Sequence, residues 1–148
     1  MSNTASQKRR RAERTRAFIE ELIRRFPDCF SARRDAVRPL AIGIEKDIRQ
    51  AFDGAAAEAP VPTWLIRQAL ARYTRSPAYL NAIIAGHDRI NLAGERVEAV
   101  TESAIARAHE QRAEQKSRAA ERRRQQAEAA AEQRRQEKLQ QLADRFNQ

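Results

Sequence analysis

The amino-acid sequence predicts a mainly α-helical domain with a small β-hairpin and a long charged C-terminal helix, an α+β architecture. Three observations support this fold class. Apolar residues recur at helical spacing in four segments between residues 15 and 85, two alternating segments flank Ala93-Gly94, and residues 109–148 are rich in Ala, Arg, Gln and Glu. We therefore divide the 148 residues into a basic arm that is disordered or loosely helical (1–14), a compact domain (15–112) and a helical tail (113–148).

Two amphipathic helices open the domain. The first is predicted to begin at Thr15 and to stop at Pro27, and its apolar stripe consists of Phe18, Ile19, Leu22, Ile23 and Phe26. The second is predicted to begin at Pro39, which suits a first helical position. Its apolar residues recur every four positions, at Leu40, Ile44, Ile48 and Phe52. The alanine-rich stretch 55–62 is expected to be a linker.

A third helix follows the linker, with Thr63 as its predicted N-cap because Pro62 disfavours an earlier start. One arc of this helix is apolar and faces the core, and it carries Leu65, Ile66, Ala69, Leu70 and Tyr73. The opposite arc carries Trp64, Arg67, Gln68, Ala71, Arg72 and Arg75. A fourth helix is predicted to begin at Ser76-Pro77, with Ser as cap and Pro at the first position, and to end at Gly86.

The hairpin is predicted to pair residues 89–92 with residues 95–100, and its apolar side chains, Ile90, Leu92 and Val97, are expected to cover the helices. Thr101 is predicted to cap the last helix. Beyond His109 that helix has strong helical propensity but lacks a heptad of large apolar residues, so self-association as a coiled coil is the less favoured alternative. A small apolar patch lies near its end, at Leu139, Leu142, Ala143 and Phe146.

The charge of the chain favours a polyanionic partner. The formal net charge is +9 and the isoelectric point is near 10.9, which indicates nucleic acid before membrane. The N-terminal arm contains a basic run, Lys8, Arg9, Arg10 and Arg11, which either touches phosphates without sequence preference or only keeps the chain soluble.

The sequence offers little for catalysis or for a cofactor. It contains two histidines, in different predicted elements, and one cysteine, Cys29, which we expect to be a small core residue. It has no CxxC, HExxH or GxSxG motif and no glycine-rich phosphate loop. We therefore expect a protein that is not an enzyme, needs no cofactor or metal and has no small-molecule substrate. The single cysteine and the absence of an apolar signal core or membrane span predict a cytoplasmic protein.

The clearest sign of a binding surface is a stretch without acidic residues. The 29 residues between Glu58 and Asp88 contain no Asp or Glu, yet they include Arg67, Arg72 and Arg75. Helix N-termini also attract phosphate, because their N–H groups are unpaired. This stretch therefore predicts an anion-binding surface; the alternative is a solvated helix face, although such faces usually mix charges of both signs.

Four segments, in this order and spacing, resemble the ProQ/FinO family of bacterial RNA-binding proteins: RFPDCFS, RPLAIGI, QALARYTRSPAYL and DRINLAG. The resemblance covers about residues 18–110. It implies a mostly helical domain with a small β element and a concave basic face that binds structured RNA. The RNA element implied is the base of a terminator hairpin with its 3′ single-stranded tail, and the implied role is to protect small RNAs and to pair them with messenger RNAs.

The resemblance also implies site residues. A pocket for the RNA 3′ end would combine the start of the third helix at Thr63 with Tyr79 and Arg89. Further basic contacts would fall on Arg38 and, on the third helix, on Arg67 and Arg75, whose arc also carries Arg72. Loose tail bases could stack on Tyr79. The alternatives are core packing for Tyr79 and a salt bridge from Arg89 to Asp88 or Glu95. Ala41 and Ala71 stand where the family often has basic residues.

Two other functions fit the charge. A basic DNA-binding or nucleoid protein is one, although the linker before the third helix is too long for the tight turn of a helix-turn-helix motif. A helical scaffold whose tail docks a partner protein is the other. We favour an RNA chaperone, acting as a monomer on small regulatory RNAs and messenger 3′ ends.

Overall fold

The computed structural model describes residues 4–53 and 60–147. Within these residues the elements are α1 (Ala5–Arg25), α2 (Ile44–Phe52), α3 (Thr63–Thr74), α4 (Pro77–Ile84), β1 (Arg89–Ile90), β2 (Arg96–Glu98) and α5 (Glu102–Phe146). The chain divides into two compact units, Met1–His109 and Glu110–Gln148. The predicted fold class is therefore confirmed, whereas most of the predicted linker (55–62) falls outside the described residues.

Helix α1 begins ten residues earlier than the apolar stripe predicts. Thr4 caps it: the Thr4 hydroxyl accepts a hydrogen bond from the Gln7 N–H, and the Gln7 side chain accepts one from the Thr4 N–H. Of the two expectations for residues 1–14, disorder or a loose helix, the helical one is correct from Ala5 onward. The apolar stripe could not reveal this extension, because residues 5–14 are almost entirely polar or small.

Helix α2 begins later than predicted, because the residues before it pair with the hairpin. The Pro39 carbonyl accepts a hydrogen bond from the Ile90 N–H at 2.9 Å, and the Ala41 N–H donates to the Ile90 carbonyl at 2.8 Å. Leu40 thus forms a parallel bridge with Ile90, and Pro39 is not a helical residue. Gly43, with φ at 82°, turns the chain into α2.

Helices α3 and α4 follow each other closely. Pro62, rather than Thr63, occupies the cap position of α3, and Thr63 is its first residue, without a side-chain capping bond. Helix α4 begins as predicted: the Ser76 hydroxyl accepts the Tyr79 N–H at 3.2 Å, and Pro77 is at the first position.

One hydrophobic core joins α1, α2, α3 and α4. Its aromatic contacts include Phe18 on Phe52, with ring centroids 5.2 Å apart, and Phe30 on Tyr73 at 5.1 Å. Cys29 lies in this core, as predicted, and burial raises the pKa of its thiol to about 12.

The hairpin and the start of α5 close the first unit. Arg89 pairs with Glu98 and Ile90 with Arg96 in an antiparallel ladder. Ile90 is buried as expected, but Val97 is 48% exposed, so the expectation that it covers the helices is wrong. The Thr101 hydroxyl accepts the Ala104 N–H, as its predicted capping role requires, and Ala108 is buried in the core. In the second unit, Leu139, Leu142 and Phe146 are exposed on α5. None of the helices in the described ranges is both long and apolar enough to cross a membrane.

Candidate nucleic-acid interface

Three segments meet at the backbone of Leu40, and we call this cluster of Leu40, Tyr79 and Arg89 the Leu40 junction. The Tyr79 hydroxyl accepts a hydrogen bond from the Leu40 N–H at 3.0 Å. The Arg89 guanidinium donates to the Leu40 carbonyl at 2.9 Å. The Ser76 cap sets the start of α4 and hence the position of Tyr79, while the bridge between Leu40 and Ile90 places Arg89 at the start of the hairpin. Two of the site residues implied by the resemblance are therefore brought together.

Tyr79 is a core residue that also holds a polar contact. It is only 6% exposed, and its ring packs edge-on against Tyr73, with centroids 5.9 Å apart. Burial raises the pKa of its hydroxyl, and the Leu40 N–H and the positive charge of Arg89 offset part of this rise. The Tyr79 ring is therefore packed in the core, as the core-packing alternative expects, and it leaves little surface on which a base could stack.

Arg89 forms no ion pair with any residue in the part of the chain that the structure describes. Across residues 4–53 and 60–147, the seven ion pairs do not include Arg89. Asp88, one of the two carboxylates considered as its partner, instead lies 3.8 Å from Arg96. The half-buried guanidinium is held in place by a neutral carbonyl, so its charge is available to an anion.

Arg67 differs from this arrangement because it meets an acid from another helix. Its guanidinium lies 3.3 Å from the Glu45 carboxylate of α2, which also pairs with Arg49 at 3.0 Å. The Arg67 side chain is 69% exposed, and an exposed ion pair of this kind contributes about 0–1 kcal/mol. The stretch that lacks acids in the sequence is therefore not free of acids in space.

Arg72 and Arg75 line a separate open groove, which we call the α1–α3 groove. Its volume is about 790 Å³, and its walls come from the two helices and from the start of α4. The lining residues are Lys8, Arg11, Ala12, Thr15, Gln68, Arg72, Arg75 and Ser76. Four of these carry positive charge and none is acidic, so the groove concentrates a field of one sign.

The contacts of the remaining site residues belong to neither the Leu40 junction nor, for most of them, the groove. The Arg38 guanidinium donates to the carbonyls of Asp35 and Val37, which holds it against its own loop. Thr63 is exposed at the start of α3, where the first turn contains no acid. Of the basic run, Lys8 and Arg11 line the groove, whereas Arg9 and Arg10 are exposed outside its lining. The printed contacts thus join Tyr79 and Arg89 at the Leu40 junction and place four of the predicted cations in the lining of the α1–α3 groove. The predicted residues in neither set are Arg9, Arg10, Arg38, Thr63 and Arg67.

Sequence reasoning missed the contacts that build the groove. The guanidinium groups of Arg11 and Arg14 lie 5.1 Å and 5.3 Å from the centroid of the Trp64 ring. The buried Thr15 hydroxyl lies 2.8 Å from the Arg11 carbonyl and 3.4 Å from the Gln68 side-chain oxygen. Arg11 and Arg14 are three residues apart, so they share one face of a helix, and this spacing is the sequence signal that both could contact one aromatic ring such as Trp64. Within the described ranges, no group of three or more His, Cys, Asp or Glu side chains is placed to hold a metal ion.

The fold is that of a small FinO-like helical domain. It superposes on a FinO-like RNA chaperone from Neisseria meningitidis MC58 with a TM-score of 0.53 and 24% identity, covering 66% of this chain and 73% of that one. It superposes on a ProQ homolog from Legionella pneumophila with a TM-score of 0.54 and 30% identity, covering 63% of this chain and 75% of that one.

The chain belongs to the ProQ/FINO family, whose family model matches residues 12–128. It is 40% identical over 99 residues to the RNA chaperone ProQ of Idiomarina loihiensis, an alignment that covers 67% of this chain and 46% of that protein. It is 35% identical over 102 residues to the RNA chaperone ProQ of Aeromonas salmonicida, covering 69% and 47% respectively. The chain thus spans about half the length of the curated relatives it matches. Lys8 and Arg11 lie before the first residue matched by the family model.

Proposed function

We propose that this protein is an RNA chaperone that binds the 3′ end of structured RNAs, recognising the base of a terminator hairpin and its single-stranded tail. In this role it stabilises small RNAs and promotes their pairing with messenger RNAs, without catalytic turnover, as a monomer in the cytoplasm. Membership of the ProQ/FINO family and the RNA chaperones among its relatives support the proposal.

The observation that carries the proposal is the Leu40 junction. Arg89 has no ion-pair partner among the described residues, and the Leu40 carbonyl fixes its guanidinium at 2.9 Å. A fixed guanidinium suits a phosphate or a terminal ribose, because its N–H groups form a rigid fork of donors. Tyr79 supports this arrangement through the backbone of Leu40, so its role is to position the junction rather than to stack on a base.

A-form RNA is compatible with such a site. Its major groove is too deep and narrow for side chains, so proteins recognise the shape of the duplex, its phosphates and its 2′-hydroxyl groups. Cationic side chains outside the junction, among them Arg67 and Arg38, would then contribute phosphate contacts that lack sequence preference.

The proposal is tested by titrating the protein with a fluorescent terminator hairpin that ends in a U-rich tail. The same hairpin without the tail, and with a 3′ phosphate, serves for comparison. We expect the full tail with its free 3′ hydroxyl to bind at least several-fold more tightly. Equal affinity for the three RNAs would overturn the assignment of the 3′ end to this site.

Arg89→Ala should remove most of this preference for the tail. Arg96→Ala is the matched control, because Arg96 lies on the same hairpin and its removal lowers the net charge equally. Melting temperatures of both variants separate loss of binding from loss of folding. An Arg89→Ala variant that is folded and still prefers the tail would exclude the role proposed for Arg89. Competition with duplex DNA of equal length tests the alternative of a DNA-binding protein.

A further inference from the structure

The α1–α3 groove has features of a binding site that the Leu40 junction does not explain. One wall presents Lys8 and Arg11 from the N-terminal extension of α1, and the other presents Arg72 and Arg75 from the end of α3. In each pair the two cations are three residues apart, so they lie on the same face of their helix. The groove is therefore a channel with positive charge along both sides.

The extension that makes one wall is held in place by specific contacts. Thr4 caps α1, the buried Thr15 approaches Gln68, and the Arg11 guanidinium lies over the Trp64 ring. Without these contacts, residues 5–14 would form a polar helix with little to stabilise it. Side chains of like charge thus line both sides of an open channel, an arrangement that an anion in the channel would stabilise.

We propose that the α1–α3 groove binds a single-stranded phosphodiester segment of the same RNA whose 3′ end occupies the Leu40 junction, an inference that rests on the proposed function. The four cations suit recognition of the RNA phosphodiester backbone rather than of the base sequence. Three of the four are arginines, whose planar forks match phosphate. Among the described residues, no acidic side chain lines the groove to accept hydrogen bonds from base amino groups. A phosphodiester chain supplies a row of charges that a compact anion lacks, which suits cations on both walls.

The experiment compares two double variants of one helix in the full chain. Lys8→Gln/Arg11→Gln removes two charges that line the groove, and Arg9→Gln/Arg10→Gln removes two neighbouring charges that do not. Both variants lose the same net charge and gain the same residues. The probe is the U-tailed terminator hairpin carrying a 5′ single-stranded extension, titrated at several salt concentrations.

We expect the groove variant to lower the slope of log affinity against log salt by about 1.4, because each single-strand phosphate contact contributes roughly 0.7. The corresponding loss of affinity is about 25-fold at 0.1 M salt. The Arg9/Arg10 variant should change the slope by much less. If the two double variants lose affinity equally, the groove is not a binding site and the proposal is wrong.

Arg72→Gln provides a second measurement on the opposite wall, and it does not disturb the Trp64 contact. It should lower the slope by about 0.7, with an unchanged melting temperature. An unchanged slope would overturn the proposal, and so would a groove variant that loses more affinity for duplex DNA than for the RNA.

Failure of this proposal can be told from failure of the proposed function. Preference for the free 3′ tail tests the Leu40 junction, whereas the difference between the two double variants tests the groove. The groove variants should keep the preference for the tail while losing affinity for all the RNAs that carry the extension.

Discussion

Tyr79→Phe removes one oxygen atom from the Leu40 junction and tests how that junction works. The buried Leu40 N–H, which now donates to the Tyr79 hydroxyl at 3.0 Å, would lose its acceptor. Leaving a buried donor unpaired costs about 1–3 kcal/mol, and each kcal/mol lowers the melting temperature of a domain of this size by roughly 4–8 °C. Urea and thermal unfolding, followed by circular dichroism, measure this cost.

Tyr73→Phe is the matched control for this substitution. Tyr73 is also buried, and its hydroxyl accepts the Ser31 N–H at 3.1 Å, but that bond is less deeply buried and involves neither Leu40 nor Arg89. We expect Tyr73→Phe to destabilise by a smaller amount and to leave RNA binding unchanged. Tyr79→Phe should also reduce the preference for a free 3′ tail several-fold, because Arg89 would lose a neighbour that helps to fix its position.

The result that would refute this reasoning is a Tyr79→Phe variant as stable as the wild type and with the same preference for the tail. Equal losses of tail preference in both variants would also refute it, because only one of the two hydroxyls lies at the Leu40 junction.

Three further predictions concern a buried thiol, a crowded glycine and the exposed tail. The free energy of unfolding should fall between pH 9 and pH 12, because burial raises the pKa of the Cys29 thiol from 9.0 to about 12 and the folded state keeps the thiol protonated. By pH 12 this lowers the free energy of unfolding by about 4 kcal/mol. Cys29→Ala should therefore make unfolding less dependent on pH in this range. Gly94→Ala should destabilise the fold more than Gly43→Ala. Both glycines have positive φ, which costs an alanine about 1–2 kcal/mol, but only at Gly94 would the new Cβ also lie 2.7 Å from an Asp28 side-chain atom. Equal losses of stability in urea unfolding would contradict the clash. Deleting residues 113–148 should leave the melting temperature and the preference for an RNA 3′ tail unchanged, because Ala108, the one buried residue among the described positions of α5, precedes the deleted segment. A lower melting temperature or a lost preference would show that residues 113–148 contribute to the domain.

Local signals in the sequence predicted the start of α4 and the hairpin. Ser76-Pro77 combines a capping hydroxyl with a residue that suits only the first turn, so the start of the helix depends on its immediate neighbours. The hairpin turns at Ala93-Gly94, as its alternating arms predicted, although its strands are shorter than expected. These features did not require knowledge of distant residues.

Features that depend on distant residues were not predictable in the same way. The N-terminal half of α1 lacks an apolar stripe, and its position against α3 depends on Trp64 and Gln68, about fifty residues away. Arg67 meets Glu45 across 22 residues, so an acid-free stretch of sequence could not guarantee an acid-free surface. Propensity and periodicity describe one segment at a time, whereas these contacts arise only when segments pack together.

The candidate site shows the same division. The resemblance to a family placed Tyr79 and Arg89 near each other, and the structure joins them through Leu40. No pattern of side chains could identify Leu40 as the link, because Leu40 makes both hydrogen bonds with its own main-chain N–H and C=O groups.

This main-chain link has a consequence for how the protein tolerates change. A peptide group is present whatever side chain stands at position 40, so apolar replacements there should leave both hydrogen bonds intact; proline alone would delete the donor. The junction should therefore be more sensitive to mutation at Tyr79 and Arg89, whose side chains bind the main chain of Leu40, than at position 40 itself. Because a chain that has lost one of these two side chains benefits little from the other, substitutions at positions 79 and 89 should occur together in related sequences.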